Sequence, residues 1–298
     1  MGISRWVKLG VAAVIAVVIA KTLIAGSYII PSSGMENSLY EGEGVLVGKW
    51  SYGLRTPLPS LFGYHRLGAK QVKKGDIVVF NNPAQAEKGV EFRDVFISRC
   101  AATAGDTILL NSELTETGAK MLSPDSKTLY AYPPRQEELV EELMKALGIK
   151  GNTLVSYTSD GDYVRSFSHY EFYLMKQKSD GLVSLTPVSE IIDEAKPFVV
   201  PKKGMAVEVQ PWNAILLCNT IKLHEHKKAK VKGDSLFVGG KAVAEYRFSK
   251  DYYWMTANDP VNLCDSRLFG FVPEDHIVGK AWRIWLPKKI RRLFQKVK

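Results

Sequence analysis

The chain has 298 residues, of which 46% are hydrophobic and 24% are charged. This balance is that of an ordinary globular protein, and it excludes a disordered or collagen-like chain. Three cysteines in so long a chain also exclude a fold that is held together by disulfides.

Positive charge is concentrated at the C-terminal end. The chain has 40 Lys and Arg residues against 31 Asp and Glu. Eight of the basic residues and no acidic one lie between Lys280 and Lys298, so the rest of the chain is nearly neutral. A basic tail suits a membrane surface or a protein partner, whereas a nucleic-acid-binding domain carries a basic stripe across its fold. We therefore predict that nucleic acid is not a partner.

Residues 1–27 predict a membrane anchor. Arg5 and Lys8 precede an apolar run over residues 9–20, and after Lys21 a mostly apolar stretch continues to residue 30. These 22 residues are close to the ~20 that a helix needs to cross a bilayer. A retained anchor is favoured because the Lys21 side chain can reach the lipid interface.

A cleavable signal sequence is the alternative, with small residues at positions 25–27. In a retained anchor, the basic residues that precede the apolar run stay inside the cell. The prediction is therefore a single-pass protein of the inner (cytoplasmic) membrane, with its soluble part on the outer, periplasmic side.

Beyond the anchor the pattern is mainly β. Short apolar runs bounded by Gly, Pro, Asn and Asp predict strands of an antiparallel sheet system. These runs are Gly44–Lys49, Asp76–Phe80, Val95–Ile97, Thr107–Leu110, Ala206–Val209 and Ser235–Val238.

One helix is predicted over Pro134–Leu147, since apolar residues recur at helical spacing and Gly148 follows. It lies in a middle region, 111–234, that we interpret as a second, smaller β-rich lobe inserted into the first. The core would then consist of residues 28–110 and 235–287, and residues 288–298 would form a basic tail.

Three segments carry the most information. They are IPSSGMENSL at 30–39, KKGDIVVFNNP at 73–83 leading to VFISRCAATAGDTI at 95–108, and NLCDSRLFGFVPEDHIVGKA at 262–281. In order and spacing they resemble the bacterial signal peptidase I family, membrane-anchored serine endopeptidases that remove signal peptides from exported proteins. The resemblance implies a mostly antiparallel β fold with a shared core lobe and a variable β lobe.

The resemblance also implies a Ser nucleophile and a Lys general base, and both positions are altered. Gly34 stands where the family has the nucleophile, and Ser98 stands where it has the Lys. Such a Lys works only when burial depresses its pKa until it is neutral. Gly34 has no side chain to attack a carbonyl, and the Ser98 hydroxyl is too weak a base. Loss of either group in a serine protease costs roughly a million-fold in turnover.

The third motif departs from the family pattern as well. The family's Gly-Asp-Asn-Arg corresponds here to residues 257–260, Ala-Asn-Asp-Pro, and its Lys-supporting Ser corresponds to Leu263. Asp265, Ser266 and Arg267 keep the family's residues. An Asp–Arg pair there would organise the core around the site rather than cleave a bond.

Other residues of the first motif have implied roles. Ser32 matches the family's oxyanion donor, and Pro31 and Met35 border its substrate groove. Ser33 is the fallback nucleophile, although a shift of one residue along an extended segment turns the side chain away. His224-Glu225-His226 suggests a metal pair, but a solvated strand is favoured, and we predict neither a metal nor a cofactor.

We therefore predict a protein of the export or signal-peptide-processing pathway. It has lost peptidase activity and acts as a binding or accessory subunit. Its expected partners are signal peptides, membrane lipid through Trp282, Trp285 and the basic tail, and the Sec machinery or an active paralogue. One alternative is an active signal peptidase, through Ser33 or because Gly34 and Ser98 are introduced substitutions. Another is a scaffold with a closed groove. Pairing of Cys100 with Cys264 stays open.

Overall fold

The structure is a computed structural model that describes residues 6–13, 24–111, 114, 125–149, 152–188, 195–261 and 264–297. Residues 6–13 are helical, and the middle of the predicted anchor, 14–23, lies outside the described residues. Within the described ranges, no helix has the length and apolar character that a membrane crossing requires. Strand structure begins at Ala25, so the last three residues of the predicted anchor belong to a sheet instead.

The described residues form twenty strands, numbered in chain order. They are β1 Ala25–Ile29, β2 Gly44–Gly48, β3 Leu54–Arg55, β4 Arg66–Leu67, β5 Ile77–Asn81, β6 Val95–Ala102, β7 Thr107–Leu110, β8 Lys127–Tyr132, β9 Ser156–Tyr157, β10 Tyr163–Ser168, β11 Thr186–Pro187, β12 Lys196–Val199, β13 Ala206–Glu208, β14 Ala229–Lys232, β15 Ser235–Val238, β16 Lys241–Val243, β17 Glu245–Arg247, β18 Tyr252–Thr256, β19 Val272–Pro273 and β20 Ile277–Leu286. All six predicted strands are present.

Five helices beyond residue 13 accompany the strands in the part of the chain that the structure describes. They are α1 Pro59–Phe62, α2 Glu137–Leu147, α3 His169–Lys178, α4 Ala214–His224 and α5 Ser266–Phe269. Short 3-10 turns occur as well, and those used below are Ser33–Met35 and Val90–Phe92.

A seven-stranded antiparallel sheet is the centre of the fold, with the order β1-β2-β20-β5-β6-β18-β19. Strand β20 joins its two halves, because it pairs with β2 on one side and with β5 on the other. The prediction of a mainly β, antiparallel fold is thereby confirmed.

Strand β5 shows why this sheet is stable. All five of its residues are buried, and successive side chains point to opposite faces. Ile77 and Val79 enter one apolar cluster, whereas Val78 and Phe80 enter another. A strand that is covered on both faces must be apolar throughout, which explains the unbroken run IVVF.

Residues 127–187 build a second sheet, with the order β11-β8-β10-β9, and helices α2 and α3 pack against it. The predicted helix is present as α2, preceded by a 3-10 turn, and it ends at Gly148, whose φ of 72° is left-handed. Helix α3 begins with a capping box between Ser168 and Glu171.

The prediction of a single helix between residues 111 and 234 was wrong, because α3 and α4 also lie there. Helix α3 lacks an apolar stripe, and α4 is apolar on nearly every side, so neither shows helical periodicity. Helix α4 packs against the main sheet, where Leu217 and Ile221 share a cluster with Trp254. The expected solvated strand at His224 was also wrong, since His224 ends α4 and is buried.

Candidate active site

The 3-10 turn Ser33–Met35 contains Gly34, the residue that the resemblance places at the family's nucleophile position. Gly34 and Met35 are buried in this turn, and Ser32 and Ser33 are half-buried. The Asp259 amide donates a hydrogen bond to the Gly34 carbonyl at 3.1 Å, which fixes the turn against the third motif. The turn also contacts β6. Two of the segments singled out in the sequence therefore meet here.

Strand β6 presents Ser98, at the general-base position, as a fully buried residue. Its hydroxyl donates a hydrogen bond to the Cys264 carbonyl at 3.0 Å. The Ser98 side chain therefore points toward the third motif at Cys264, and Leu263 lies outside the described residues. A hydroxyl in this setting is a neutral donor, and it has no means of taking a proton from a nucleophile.

Arg99, the next residue of β6, is buried and makes different contacts. Its guanidinium donates to the Gly75 carbonyl at 3.0 Å, to the Ser38 hydroxyl at 2.9 Å and to the Asn258 side-chain oxygen at 3.4 Å. Burial lowers the pKa of Arg99, yet a guanidinium stays protonated in proteins. Arg99 therefore anchors the segment after the turn and does not serve as a base.

Asn258 stands where the family motif has Asp, so Arg99 meets an amide there. The Asn258 amide is buried, and it donates to the Glu36 carbonyl and to the Ser38 hydroxyl, both at 3.0 Å. The Ser38 hydroxyl in turn donates to an Asp125 carboxylate oxygen at 2.6 Å. A carboxylate close to Arg99 is thus supplied by Asp125, which precedes β8.

A buried lysine also lies beside the turn. The Lys127 ammonium is 2.6 Å from the Glu36 carboxylate, and the two side chains are 1% and 13% exposed. Burial alone would lower the pKa of Lys127, but the hydrogen bond and the charge of Glu36 outweigh it and the pKa is raised. Lys127 is therefore protonated at neutral pH and cannot act as a general base.

Three residues of the third motif that match the family pattern join neighbouring segments of the chain. They are Asp265, Ser266 and Arg267. The Asp265 carboxylate is fully buried, accepts the Ala257 amide at 2.8 Å and pairs with the Arg267 guanidinium at 2.7 Å. The Ser266 hydroxyl accepts the Met255 amide at 2.8 Å. Together they fasten the end of β18 to α5, which agrees with a role in organising the core.

The open edges of two strands face a common groove. Strand β1 pairs with β2, and β18 pairs with β6 from Arg99 onward, so among the described pairings Val95–Ser98 has no partner on that side. Tyr28, Val95 and Ile97 are partly buried against the cluster that holds Ile30 and Met35. The predicted groove beside Pro31 and Met35 thus has an apolar floor, and the Pro31 side chain is exposed at its rim.

A cleft of about 520 Å³ opens at the other end of the groove, beside Ser33. Its lining includes the acidic residues Glu36 and Glu171 and the basic residues Lys288 and Lys289 of the tail. The side chain of Ser33 therefore faces open space of mixed charge.

The tail folds back onto the segment that follows the turn. The Arg292 guanidinium pairs with the fully buried Glu43 carboxylate at 2.8 Å, and it donates to the Ser38 carbonyl at 2.8 Å. Val297 packs against the apolar cluster of the groove. Residues 288–297 therefore contribute to the structure as well as to the charge.

Four residues of this site, Ser38, Asp125, Lys127 and Arg292, were missed by sequence reasoning. Each acts on a partner far along the chain, such as Asp125 on Ser38, and no local pattern marks such pairs. Among the described residues, no group of three or more His, Cys, Asp or Glu is placed to hold a metal ion. Cys100, Cys218 and Cys264 are free thiols.

Comparison with known proteins agrees with this geometry. The sequence profile of the family described as "Signal peptidase, peptidase S26" matches residues 3–169, more than half of the chain. The chain belongs to the signal peptidase family. It is 33% identical over 223 residues to "Probable signal peptidase I-2" of Synechocystis sp., covering 71% of this chain and 86% of that protein.

Two further signal peptidases align over almost the whole chain. "Signal peptidase I" of Aquifex aeolicus is 25% identical over 283 residues, which is 94% of this chain and 83% of that protein. "Signal peptidase I" of Helicobacter pylori (strain J99) is 23% identical over 298 residues, which is 97% of this chain and 82% of that protein. This signal peptidase family member is therefore similar to its relatives on both sides of the middle region.

Proposed function

We propose that this protein binds signal peptides without cleaving them and acts as an accessory subunit in signal-peptide processing. Membership of the signal peptidase family supports the pathway. The observation that carries the loss of activity is that Gly34 and Ser98 occupy the nucleophile and base positions, with Ser98 buried and donating to a backbone carbonyl. A serine protease retains only its oxyanion site and its binding energy once these groups are gone.

Lys127 gives further support for inactivity. A Ser–Lys mechanism needs a neutral amine next to the nucleophile. Lys127 is buried beside the turn, as such a base would be, but its ion pair with Glu36 raises its pKa. Its ammonium is therefore not available to take a proton from Ser33.

The groove supports a binding role. An extended peptide can join a sheet by pairing with an exposed strand edge, and side-chain pockets then give specificity. The open edges of β1 and Val95–Ser98 offer such pairing above the floor that Tyr28, Ile30 and Ile97 form. A signal peptide near its cleavage site is extended and has small side chains, which suits a shallow groove of this kind.

Cleavage of a secreted preprotein in detergent tests this proposal. The unaltered chain is compared with the double variant Gly34→Ser plus Ser98→Lys, and with the control Gly34→Ala plus Ser98→Lys, which lacks a nucleophile. We expect no cleavage by the unaltered chain or the control. Cleavage by the double variant alone would indicate that the groove is intact, because a lysine at this buried position would be desolvated and its pKa lowered.

A photocrosslinking signal peptide tests binding directly, since it should label the unaltered chain near Met35. Labelling confined to the N-terminal residues 1–23 would contradict the binding role. If neither cleavage nor labelling near Met35 occurs in any variant, the protein is better described as a scaffold with a closed groove.

An active peptidase that uses Ser33 is the second candidate. One observation favours it, because Ser33 is half-buried and lines the 520 Å³ cleft. Cleavage by the unaltered chain that is lost in Ser33→Ala would establish this alternative. Cleavage that survives Ser33→Ala would require another nucleophile.

We also propose that the protein is a single-pass inner-membrane protein with its soluble part on the periplasmic side, in contact with the Sec machinery or an active paralogue. Trp282 and Trp285 are 47% and 38% exposed, and basic residues follow them. Side chains of this kind are typical of a lipid interface. Brominated lipid should quench the fluorescence of the reconstituted chain, and Trp282→Phe plus Trp285→Phe should reduce the quenching; an unchanged signal would remove the lipid contact.

A further inference from the structure

Four large apolar side chains are exposed together at one end of the groove. Leu58, Leu61 and Phe62 come from helix α1 and the residue before it, and Phe92 comes from the turn Val90–Phe92. Their exposed fractions are 40%, 72%, 64% and 67%. We call these four residues the entrance patch. Contiguous apolar surface of this kind usually marks an interaction site.

The two segments that carry the entrance patch are fastened to each other. The Ser60 hydroxyl and the Ser60 amide of α1 both donate hydrogen bonds to the Glu91 carboxylate. Helix α1 and the turn Val90–Phe92 are also in direct contact. The patch is thus a built surface that two chain segments hold in place.

The entrance patch is continuous with the groove. A cavity of about 260 Å³ is lined by Leu58 and Phe92 of the patch together with Tyr28, Val95 and Val278. Tyr28 and Val95 belong to the two strands whose open edges form the groove. A chain that lies in the groove therefore passes over the entrance patch when it is extended away from the turn at Gly34.

The direction of the strands indicates which part of a bound signal peptide would lie over the entrance patch. Strands β1 and β6 both run toward the site, β1 into the turn Ser33–Met35 and β6 from Val95 to Ser98. A peptide parallel to them, with its cleavage site beside Gly34, places its upstream residues over the entrance patch. At about 3.3 Å per residue, the three steps from Val95 to Ser98 span about 10 Å, which is the length of a short small-residue segment.

A signal peptide has an apolar segment of about 7–15 residues just upstream of its small-residue cleavage site. We propose that the entrance patch binds this apolar segment. The inference rests on the proposed function and extends it, because it names the part of the signal peptide that supplies most of the apolar contact. A peptide in the opposite direction would bring the mature sequence here, and that sequence has no need of an apolar surface.

A lipid surface is the competing occupant, and the charges argue against it. The cavity beside the patch is lined by Lys49 and Arg55 as well as Glu91, so its charge is mixed, whereas anionic lipid headgroups favour a cluster of basic residues. The basic and aromatic residues that suit lipid lie on β20 and the tail, at Trp282, Trp285 and Lys288.

Binding of two synthetic peptides to the full chain in lipid nanodiscs tests the inference. One is a complete signal peptide, and the other keeps only the residues next to the cleavage site. The variant Leu61→Asp plus Phe62→Asp should bind the complete peptide at least ~10-fold more weakly and the short peptide as the unaltered chain does. The matched control is Leu182→Asp plus Tyr170→Asp, in the turn after helix α3 and in α3 itself, where the two residues are 71% and 62% exposed; it should change neither.

A second measurement uses the unaltered chain, so it does not depend on a variant that folds. A photoreactive residue in the apolar segment of the complete peptide should label Phe62 or Phe92. If the variant leaves binding of the complete peptide unchanged while the short peptide still binds, the inference is wrong and the proposed function stands. Labelling of the patch by a photoreactive lipid acyl chain, and not by the peptide, would assign the patch to lipid. If neither peptide binds the unaltered chain, the proposed function fails and this inference fails with it.

Discussion

Replacing Glu36 by Gln should leave the Lys127 ammonium buried without its partner. The two groups are 2.6 Å apart, and the Lys127 side chain is 1% exposed. Breaking a buried pair costs roughly 3–5 kcal/mol, because the remaining charge cannot return to water. Glu171 and Asp259 lie near enough to Lys127 to offset part of this cost. We therefore expect Glu36→Gln to lower the free energy of unfolding by about 2–4 kcal/mol at pH 7.

The loss should depend on pH in a definite direction. In the native protein the pKa of Lys127 is raised, so the pair contributes fully below the unfolded pKa of about 10.4. Without Glu36, burial lowers the folded pKa, and the unfolded chain then binds more protons. The stability of Glu36→Gln should accordingly rise toward that of the native protein as the pH increases from 7 to about 9.5.

Urea denaturation of the full chain in detergent at both pH values measures this effect. The double variant Glu36→Gln plus Lys127→Met should be more stable than Glu36→Gln alone, since no charge is then left buried. Glu245→Gln is the control, because its ion pair with Arg247 is 3.9 Å long, 60–69% exposed and worth little. A cost for Glu36→Gln below about 1 kcal/mol, equal at both pH values, would refute the reasoning.

Three further predictions concern buried charges elsewhere. His224 and His276 are buried with their ring centroids 5.3 Å apart. Burial lowers the pKa of each imidazole below the unfolded value of about 6.5. The free energy of unfolding should therefore fall by up to about 1.4 kcal/mol per histidine between pH 6.5 and 5.5. Chemical denaturation across this range measures the slope, and His224→Phe should make it shallower. Arg292→Met leaves the Glu43 carboxylate buried and unpaired and should cost about 3–5 kcal/mol in urea denaturation; an unchanged midpoint would mean that the tail is not packed as described. Asp265→Asn weakens the pairing with the Arg267 guanidinium and should lower the melting temperature; an unchanged melting temperature would contradict the role of Asp265 in joining β18 to α5.

Much of the fold follows from local sequence patterns. The run Ile77–Phe80 is apolar throughout and bounded by polar residues, which predicts a strand covered on both faces. Helix α2 has its acidic first turn, its apolar spacing and its terminal Gly148 in the printed sequence. Helix α4 has no such signature, since the run Ala-Ile-Leu-Leu-Cys is apolar on consecutive positions and equally suits a buried strand. Its identity is decided by packing against Trp254, which local sequence does not reveal.

The candidate site divides in the same way. Resemblance to the family was enough to predict that Gly34 and Ser98 belong to one site. The contact between the turn Ser33–Met35 and β6 agrees with this prediction. The polar network around them was not predictable, because Asp125 reaches Ser38 and Arg292 reaches Glu43 across long stretches of sequence. Such long-range pairs depend on how the sheets pack in the folded protein. The local sequence around either partner does not reveal that packing.

The position of β20 has a consequence for how the protein is made. The hairpin β1–β2 and the hairpin β5–β6 share no partner except β20, which starts at Ile277. While a ribosome is still translating the middle of the chain, the two hairpins have no common strand to pair with, and only contacts such as that of Arg99 with Ser38 can join them. Pairings so distant in sequence form slowly, and unpaired edges attract other chains in the meantime. We expect the peptide-binding groove to be absent from every nascent chain that lacks β20, and to form in one late step when that strand closes the sheet.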